Sequence, residues 1–286
     1  MGDAHAEIPV VFDCGNERLL GILHPSELVA TRGVLIVVGG PQYRVGSHRQ
    51  FVLLARRLAH TGIPGFRVDC RGMGDSAGKA AGFDRIDDDI RAAIDAFMVR
   101  QQGLQSVVIW GLCDAASAAM IYAHQDKRVG SVILLNPWVR SEEGQAKTIL
   151  KRYYVRQLAS ISFWQRLFTG EVGISKAIWS FFDNLASAAG AKSKGDPQDE
   201  NGEGDFVGRM LEGLSRFSGS ALFVISGDDL TAAEFEQLVQ SSRPWQRLMR
   251  RDRIETFRIE EANHTFSTRE WREAVEQATI DWVAGQ

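Results

Sequence analysis

The chain has 286 residues, of which 33 are Lys or Arg and 36 are Asp or Glu, so its formal net charge is −3. With 44% hydrophobic and 24% charged residues, it has the composition of an ordinary globular protein, which excludes a disordered, collagen-like or coiled-coil chain. No basic stripe marks a nucleic-acid binder, and no apolar run approaches the ~20 residues that cross a bilayer.

Apolar runs alternate with helical patterns along the chain. The first two runs, 8–13 and 18–23, flank a CGNE turn and predict an antiparallel hairpin. The later runs predict strands buried within a sheet: 33–38, 65–69, 105–110, 131–135, 221–226 and 254–259. In the last helical pattern Ser267 and Glu270 have capping-box spacing. The alternation predicts an α/β fold, a mostly parallel sheet with helices on both faces.

Residues 141–186 interrupt this alternation with helical patterns rich in Phe, Trp, Ile and Leu. The stretch 187–205 contains no Val, Ile, Leu, Phe, Met, Trp or Tyr, so it predicts a flexible loop that cannot bury enough surface to order itself. We therefore expect a core formed by 1–140 and 216–286, with a helical cap inserted at 141–215.

A candidate nucleophile lies in the segment VVIWGLCDAASAA, residues 107–119. A buried strand runs into Gly111, and a helix of small residues follows Cys113, which is the small-x-nucleophile-x-small pattern of a nucleophile elbow. Small residues at 111 and 115 allow the backbone to turn sharply. A helix N-terminus favours a thiolate, although Asp114 opposes this locally. The alternative interpretation is a buried structural cysteine.

A histidine and an acid follow in a suitable order. His264 comes after the last predicted strand, and Asp228 and Asp229 directly follow the strand at 221–226. We expect His264 to activate Cys113 and a carboxylate to orient His264. Asp229 is the preferred acid, with Asp228 as the alternative.

The loop after the first parallel strand, GGPQYRVGS at 39–47, is expected to supply backbone N–H groups to an oxyanion hole. Pro41 has no N–H, so Gln42 or Tyr43 must donate, together with the N–H of Asp114. A plain glycine-rich turn is the alternative interpretation.

Other side chains are candidates for substrate contact. Trp138 and Arg140 follow the strand at 131–135, and Arg44 lies in the oxyanion loop, where a positive mouth would attract an anionic substrate. Arg140 pairing with a nearby Glu is the alternative. The six His and three Cys show no metal-ligand spacing, so we expect no metal and no cofactor.

At these motifs the chain resembles the α/β-hydrolase superfamily and, more narrowly, the exosortase-A-system-associated hydrolase type 1 family. The resemblance rests on GGPQYRVGSHRQF, DCRGMGDS, WGLCDAASAA, LNPWVR, GDDLTAAEF and ANHTFS, from about residue 33 to 268. It implies an esterase- or thioesterase-like fold. By genome context, it also implies a link to exopolysaccharide production and to a bacterial protein-sorting system.

Together these observations predict hydrolysis of an ester or thioester through an acyl-enzyme on Cys113, with His264 and Asp229. An acyltransferase acting on a glycan or metabolite is one alternative, and a non-catalytic binding module that kept the fold is another. The expected partner is a small acyl substrate rather than nucleic acid, with no membrane span; the oligomeric state stays open. No secretory signal is recognised, and three sparse cysteines favour a reducing compartment, so we predict a cytoplasmic location.

Overall fold

Eight strands form one sheet among the residues that the computed structural model describes, which are 6–26, 28–40, 42–139 and 206–286. They are β1 Ile8–Cys14, β2 Glu17–His24, β3 Arg32–Val37, β4 Gly65–Val68, β5 Ser106–Leu112, β6 Val129–Leu135, β7 Ser220–Ser226 and β8 Ile254–Ile259. Their order in the sheet is β1-β2-β4-β3-β5-β6-β7-β8. Strand β2 pairs antiparallel with β1 and with β4, and every other neighbouring pair is parallel. All eight predicted strands, and the hairpin, are confirmed.

Helices cover both faces of this sheet. In chain order the described helices are α1 Gln50–His60, α2 Asp87–Arg100, α3 Asp114–Tyr122, α4 Phe206–Arg216, α5 Leu230–Ser241, α6 Arg243–Met249 and α7 Arg269–Gly285. One apolar core lies under α2 to α6, and a second lies under α1 and α7. Among the described residues, no helix is long and apolar enough to cross a bilayer. The predicted α/β architecture with helices on both faces is therefore confirmed.

The central strands read as unbroken apolar runs because both of their faces are covered. In β3, Leu35 and Val37 enter the core under α2 to α6, whereas Val34 and Ile36 enter the core under α1 and α7. All four are fully buried. Successive side chains point to opposite faces of a strand, so a strand between two helical layers needs an apolar residue at every position.

Contacts divide the chain into one unit of 1–140 with 206–286 and a second unit of 141–205. Residues 140–205, including the predicted flexible loop at 187–205, lie outside the described residues. The helical cap therefore stays a prediction.

Helix α4 was expected to belong to the cap but packs in the core unit. Its Met210 and Leu214 are fully buried in the core that also contains α3. At Gly213 a Cβ atom would lie 3.0 Å from the carbonyl oxygen of Ile121, so only glycine lets these two helices approach so closely. The core thus resumes at residue 206 rather than at 216.

The N-terminus of α7 also differs from the sequence prediction. Thr268, not Ser267, is the capping residue, and its Oγ1 accepts a hydrogen bond from the N–H of Trp271 at 3.2 Å. Ser267 instead binds Asn263, whose Nδ2 donates to the Ser267 hydroxyl at 2.7 Å. The helix therefore begins one residue later than predicted, and Trp271, three residues after the cap, cannot complete a capping box.

Candidate active site

Cys113 sits at the tip of a sharp turn between β5 and α3. Its backbone has φ 62° and ψ −122°, a conformation that a residue with a side chain rarely adopts. Its N–H donates to the carbonyl of Leu135 at 2.8 Å, and its own carbonyl accepts from the N–H groups of Ala116 and Ser117 at 3.1 and 3.2 Å. These bonds tie the turn to the neighbouring strand and to its own helix. The turn therefore presents the half-buried side chain of Cys113 at the carboxyl edge of the sheet.

The turn needs small residues on either side of Cys113. A Cβ atom at Gly111 would lie 2.7 Å from the carbonyl carbon and oxygen of Ala115 and 2.8 Å from the nitrogen of Ala116. Ala115 is itself fully buried. The close approach of strand to helix, anticipated from the spacing, is thus a steric requirement at this point.

His264 and Asp229 come together although 35 residues separate them in the chain. Nδ1 of His264 lies 2.8 Å from Oδ2 of Asp229. The same carboxylate oxygen accepts from the N–H of Ala232 at 3.0 Å, so Asp229 is also the N-cap of α5. The side chain of Asp229 is 8% exposed, and the bond to the helix fixes its direction.

The surroundings of His264 shift its proton affinity strongly. Burial lowers the pKa of His264, but the hydrogen bonds and charges of Asp229 and Cys113 outweigh burial and raise it to about 10. Both groups act on the same ring from opposite sides: Asp229 holds Nδ1, which leaves Nε2 for Cys113. The structure therefore brings Cys113, His264 and Asp229 together.

The loop that carries His264 is braced by a residue that sequence reasoning missed. Asn136, fully buried directly after β6, donates from Nδ2 to the hydroxyl of Ser226 at 2.8 Å and to the carbonyl of His264 at 3.1 Å. Its Oδ1 accepts from the N–H of Ser226 at 2.9 Å. Asn136 has φ 42°, a region that asparagine tolerates better than most residues. An asparagine at a strand end before Pro137 was the available signal.

The expected oxyanion loop meets the elbow through Asp114. The N–H of Gly40 donates to Oδ2 of Asp114 at 2.6 Å, and the N–H of Ala115 donates to Oδ1 at 2.9 Å. A Cβ atom at Gly39 would overlap Oδ1 of Asp114 and lie 2.7 Å from the nitrogen of Ala115. Gly39 is therefore needed for close approach and Gly40 for its backbone φ of 58°, which disfavours the interpretation of a plain turn.

A cavity of about 380 Å³ opens above Cys113. Its walls include the apolar side chains of Phe51, Phe83, Leu112 and Trp138, and its polar lining includes Cys113, His264, Gln42 and Asp114. Trp138 is thus in the position that the predicted substrate contact requires. Arg140 and Pro41 lie outside the described residues.

Two of the predicted site residues do not join the cavity. Tyr43 is 45% exposed and is not among the described residues that line it, and its carbonyl accepts from the N–H of Gly46 at 2.9 Å. Of the two loop donors considered, Gln42 is the one that the structure places at the cavity.

Arg44 faces two carboxylates instead of the cavity. Its backbone N–H donates to Oδ1 of Asp69 at 2.7 Å, its guanidinium binds Oδ2 of Asp69, and Nη2 lies 2.6 Å from Oδ2 of Asp75. Asp69 is fully buried at the end of β4, so this pairing fastens the oxyanion loop to the sheet. The prediction that Arg44 contacts the substrate is therefore wrong, because its partners are internal carboxylates.

Arg71, in the loop after β4, is likewise paired internally: its Nη2 lies 2.7 Å from Oδ2 of Asp89.

A comparison with models of known protein families identifies the family of this chain. A family model of hydrolases, described as serine aminopeptidase S33, matches residues 30–175, which is 146 of the 286 residues. No curated protein matches the sequence significantly.

Solved structures resemble the chain over almost its whole length. The esterase Pf2001 of Pyrococcus furiosus superposes with a TM-score of 0.65 at 13% identity, covering 98% of this chain and 92% of that one. Est1E from Butyrivibrio proteoclasticus, solved with ferulic acid, gives 0.61 at 17% identity, with 97% and 98% covered. DcsB, solved with a substrate analogue, gives 0.65 at 11% identity, with 98% and 99% covered. At such identities the likeness establishes the α/β-hydrolase fold.

Proposed function

Since the chain belongs to the serine aminopeptidase S33 family of hydrolases, we propose that it hydrolyses an ester or thioester through an acyl-enzyme intermediate on Cys113. The observation that carries this proposal is the contact of Asp229 with His264 at 2.8 Å, on a histidine that also hydrogen-bonds the strained elbow residue Cys113. The family description names a serine, whereas residue 113 is a cysteine. A thiol in this position supports the same covalent chemistry.

In the first step the proton of Cys113 Sγ passes to Nε2 of His264, and Sγ attacks the carbonyl carbon of the substrate. A carbon–sulfur bond forms, and the negative oxygen is held by the backbone N–H groups of Asp114 and Gln42. The bond to the leaving oxygen or sulfur then breaks, and that atom takes the proton from His264. A histidine whose pKa is about 10 holds this proton at neutral pH, so the sulfur attacks as a thiolate beside an imidazolium. Once the sulfur has bonded to carbon its charge is gone, and the imidazolium becomes a stronger acid toward the leaving atom.

In the second step water attacks the acyl-enzyme. Water gives a proton to Nε2 of His264 as its oxygen bonds to the acyl carbon. The carbon–sulfur bond then breaks, the free acid leaves, and the thiolate of Cys113 again lies beside the protonated His264. Because the hydrogen bond and charge of Cys113 raise the pKa of His264, acylation of the sulfur removes that contribution and lowers the pKa. The histidine can then act as a base on water, with Asp229 still holding Nδ1.

The decisive experiment compares Cys113→Ala with the wild-type protein on short p-nitrophenyl esters and acyl thioesters. We expect the folded variant to lose turnover, whereas Cys70→Ala keeps it, because Cys70 is buried and its burial raises the pKa of its thiol. A thiol-selective reagent should label Cys113 before Cys14 and Cys70, as peptide mass spectrometry would show. Wild-type turnover in a folded Cys113→Ala protein would exclude the proposal.

A narrower assignment is part of the proposal. The motifs around residues 39–51, 69–76, 110–119 and 261–267 support membership of the exosortase-A-system-associated hydrolases type 1 and a role beside exopolysaccharide production. The cytoplasmic location inferred from the cysteines belongs with it. Deletion of the gene should alter exopolysaccharide output, and unchanged export and modification of that polymer would contradict the assignment.

A further inference from the structure

Asp114 places a carboxylate in the wall of the cavity, next in sequence to the nucleophile. Its oxygens accept from the N–H of Gly40 at 2.6 Å and from the N–H of Ala115 at 2.9 Å. These two donors come from the oxyanion loop and from the first turn of α3. The carboxylate is therefore fixed in position rather than free to swing into solvent.

The two bonds also indicate which protonation state the site accommodates. Each oxygen receives a backbone N–H, and the positive end of α3 lies beside it, which favours the anion. Burial acts in the opposite sense and raises the pKa of Asp114. Protonation would turn one of these two oxygens into a poorer acceptor, so the geometry suits the carboxylate.

The described part of the cavity wall contains no Lys or Arg to offset the charge of Asp114. Its other ionisable groups are Cys113 and His264, and the positive charge of His264 is already matched by Asp229 and by the sulfur of Cys113. Arg44, the nearest cation in the oxyanion loop, is bound by Asp69 and Asp75. Most of the other side chains that line the described part of the cavity are apolar, with Phe51, Phe83 and Trp138 among them.

We propose that Asp114 is a specificity-determining residue that makes this site select acyl groups without a negative charge. The inference rests on the proposed function and names its substrate class: uncharged acyl groups that fit an apolar and aromatic pocket. Its physical basis is like-charge repulsion across a partly dry cavity, where apolar walls screen the interaction less than water does. An anionic acyl group would have to bury its charge beside Asp114 with no described Lys or Arg to pair it.

Two esters of equal chain length test this, p-nitrophenyl hexanoate and the mono-p-nitrophenyl ester of adipic acid, with uncatalysed hydrolysis subtracted. We expect the wild-type protein to show a kcat/KM for hexanoate about tenfold or more above that for adipate at low salt. Raising the salt from about 20 mM to about 1 M should shrink this ratio only in part, because charges in a partly dry cavity are screened less than exposed charges. This salt series needs no variant.

Asp114→Asn should bring the two esters to within about threefold of each other, since the repulsion is gone while the amide oxygen can still accept from Gly40. The matched control is Asp252→Asn, which removes the same charge from an exposed turn ahead of β8, at the opposite edge of the sheet. This variant should keep the wild-type ratio.

Equal kcat/KM for both esters in the wild-type protein, or a ratio that Asp114→Asn leaves unchanged, would overturn the inference alone. Failure to hydrolyse any ester or thioester would instead overturn the proposed function, and the inference with it. If Asp114→Asn does not fold, Asp114→Ser takes its place, and a folded Asp114→Ser protein that keeps the wild-type ratio decides against the inference.

Discussion

Replacing Asp229 by Asn removes the charge that faces His264 while it keeps the cap of α5. Asparagine is as good an N-cap as aspartate, so its Oδ1 can still accept from the N–H of Ala232. Because one carboxylate oxygen serves both Ala232 and Nδ1 of His264, the amide oxygen in that place still accepts from both groups but carries no negative charge. The imidazolium that forms when Cys113 gives up its proton therefore loses the charge that stabilises it. We expect kcat to fall by about 10²–10⁴-fold without loss of the fold.

The size of the electrostatic effect follows from the surroundings of His264. Its pKa of about 10 lies about 3.5 units above the ordinary value of 6.5, equivalent to about 5 kcal/mol between the two protonation states. Burial lowers this pKa, so the groups that raise it must do more than the net shift shows. Without the charge of Asp229 we expect the pKa of His264 to fall by about 2 units or more.

The same shift predicts how stability depends on pH. A histidine whose folded pKa lies above its unfolded value stabilises the fold fully below pH 6.5, and this contribution is lost as the pH rises through about 10. The wild-type protein should therefore lose on the order of 3–5 kcal/mol of unfolding free energy over this range from His264. The side chain of His264 is 31% exposed, which places the effect toward the lower end. In Asp229→Asn most of this loss should be absent.

Two measurements check these expectations. Nitrogen-detected NMR titration of the histidines, with His264→Gln for assignment, gives the pKa directly, and denaturant unfolding at pH 6 and pH 10 gives the stability difference. Asp228→Asn is the matched control, because it removes the neighbouring charge, and it should change the pKa of His264 far less. A pKa that moves by under one unit in folded Asp229→Asn, or that moves as much in the control, would refute the reasoning.

Three other substitutions test residues that position the loops of the active site. Gly39→Ala forces a Cβ atom into the carboxylate of Asp114, and we expect kcat/KM to fall by about 10²-fold while circular dichroism still reports the native helices. Asn136→Ala removes three hydrogen bonds of 2.8–3.1 Å and should lower the unfolding free energy by about 2–4 kcal/mol in guanidinium titrations; a loss below 0.5 kcal/mol would contradict the bracing role. Arg44→Ala leaves Asp69 buried without its cation and should cost about 3–5 kcal/mol. The same variant should leave the preference between anionic and neutral esters unchanged, and a changed preference would restore the substrate contact first expected of Arg44.

Much of the fold could be predicted from the sequence because its signals are local. A strand covered on both faces must be apolar at every position, so runs such as 33–38 and 131–135 were recognisable and appear within two residues of their predicted bounds. The elbow at Cys113 was likewise predictable, since a sharp strand-to-helix turn requires small residues at fixed spacing. The place of His264 after β8 followed from the same strand order, because parallel strands bring their carboxyl ends to one edge.

Only the tertiary structure determines which of several similar polar groups pair with each other. Arg44 pairs with Asp69 and Asp75, and Arg71 pairs with Asp89; these partners lie 18 to 31 positions apart in the chain. Three further features also depend on the assembled fold. They are the contact of Asp229 rather than Asp228 with His264, the hydrogen bond of Asn136 to the His264 loop, and the packing of α4 in the core. A periodic pattern determines which face of an element is buried, because that depends on neighbouring residues along the chain. Which polar group meets which depends instead on strand register and loop path, and these are set only when the whole sheet has been assembled.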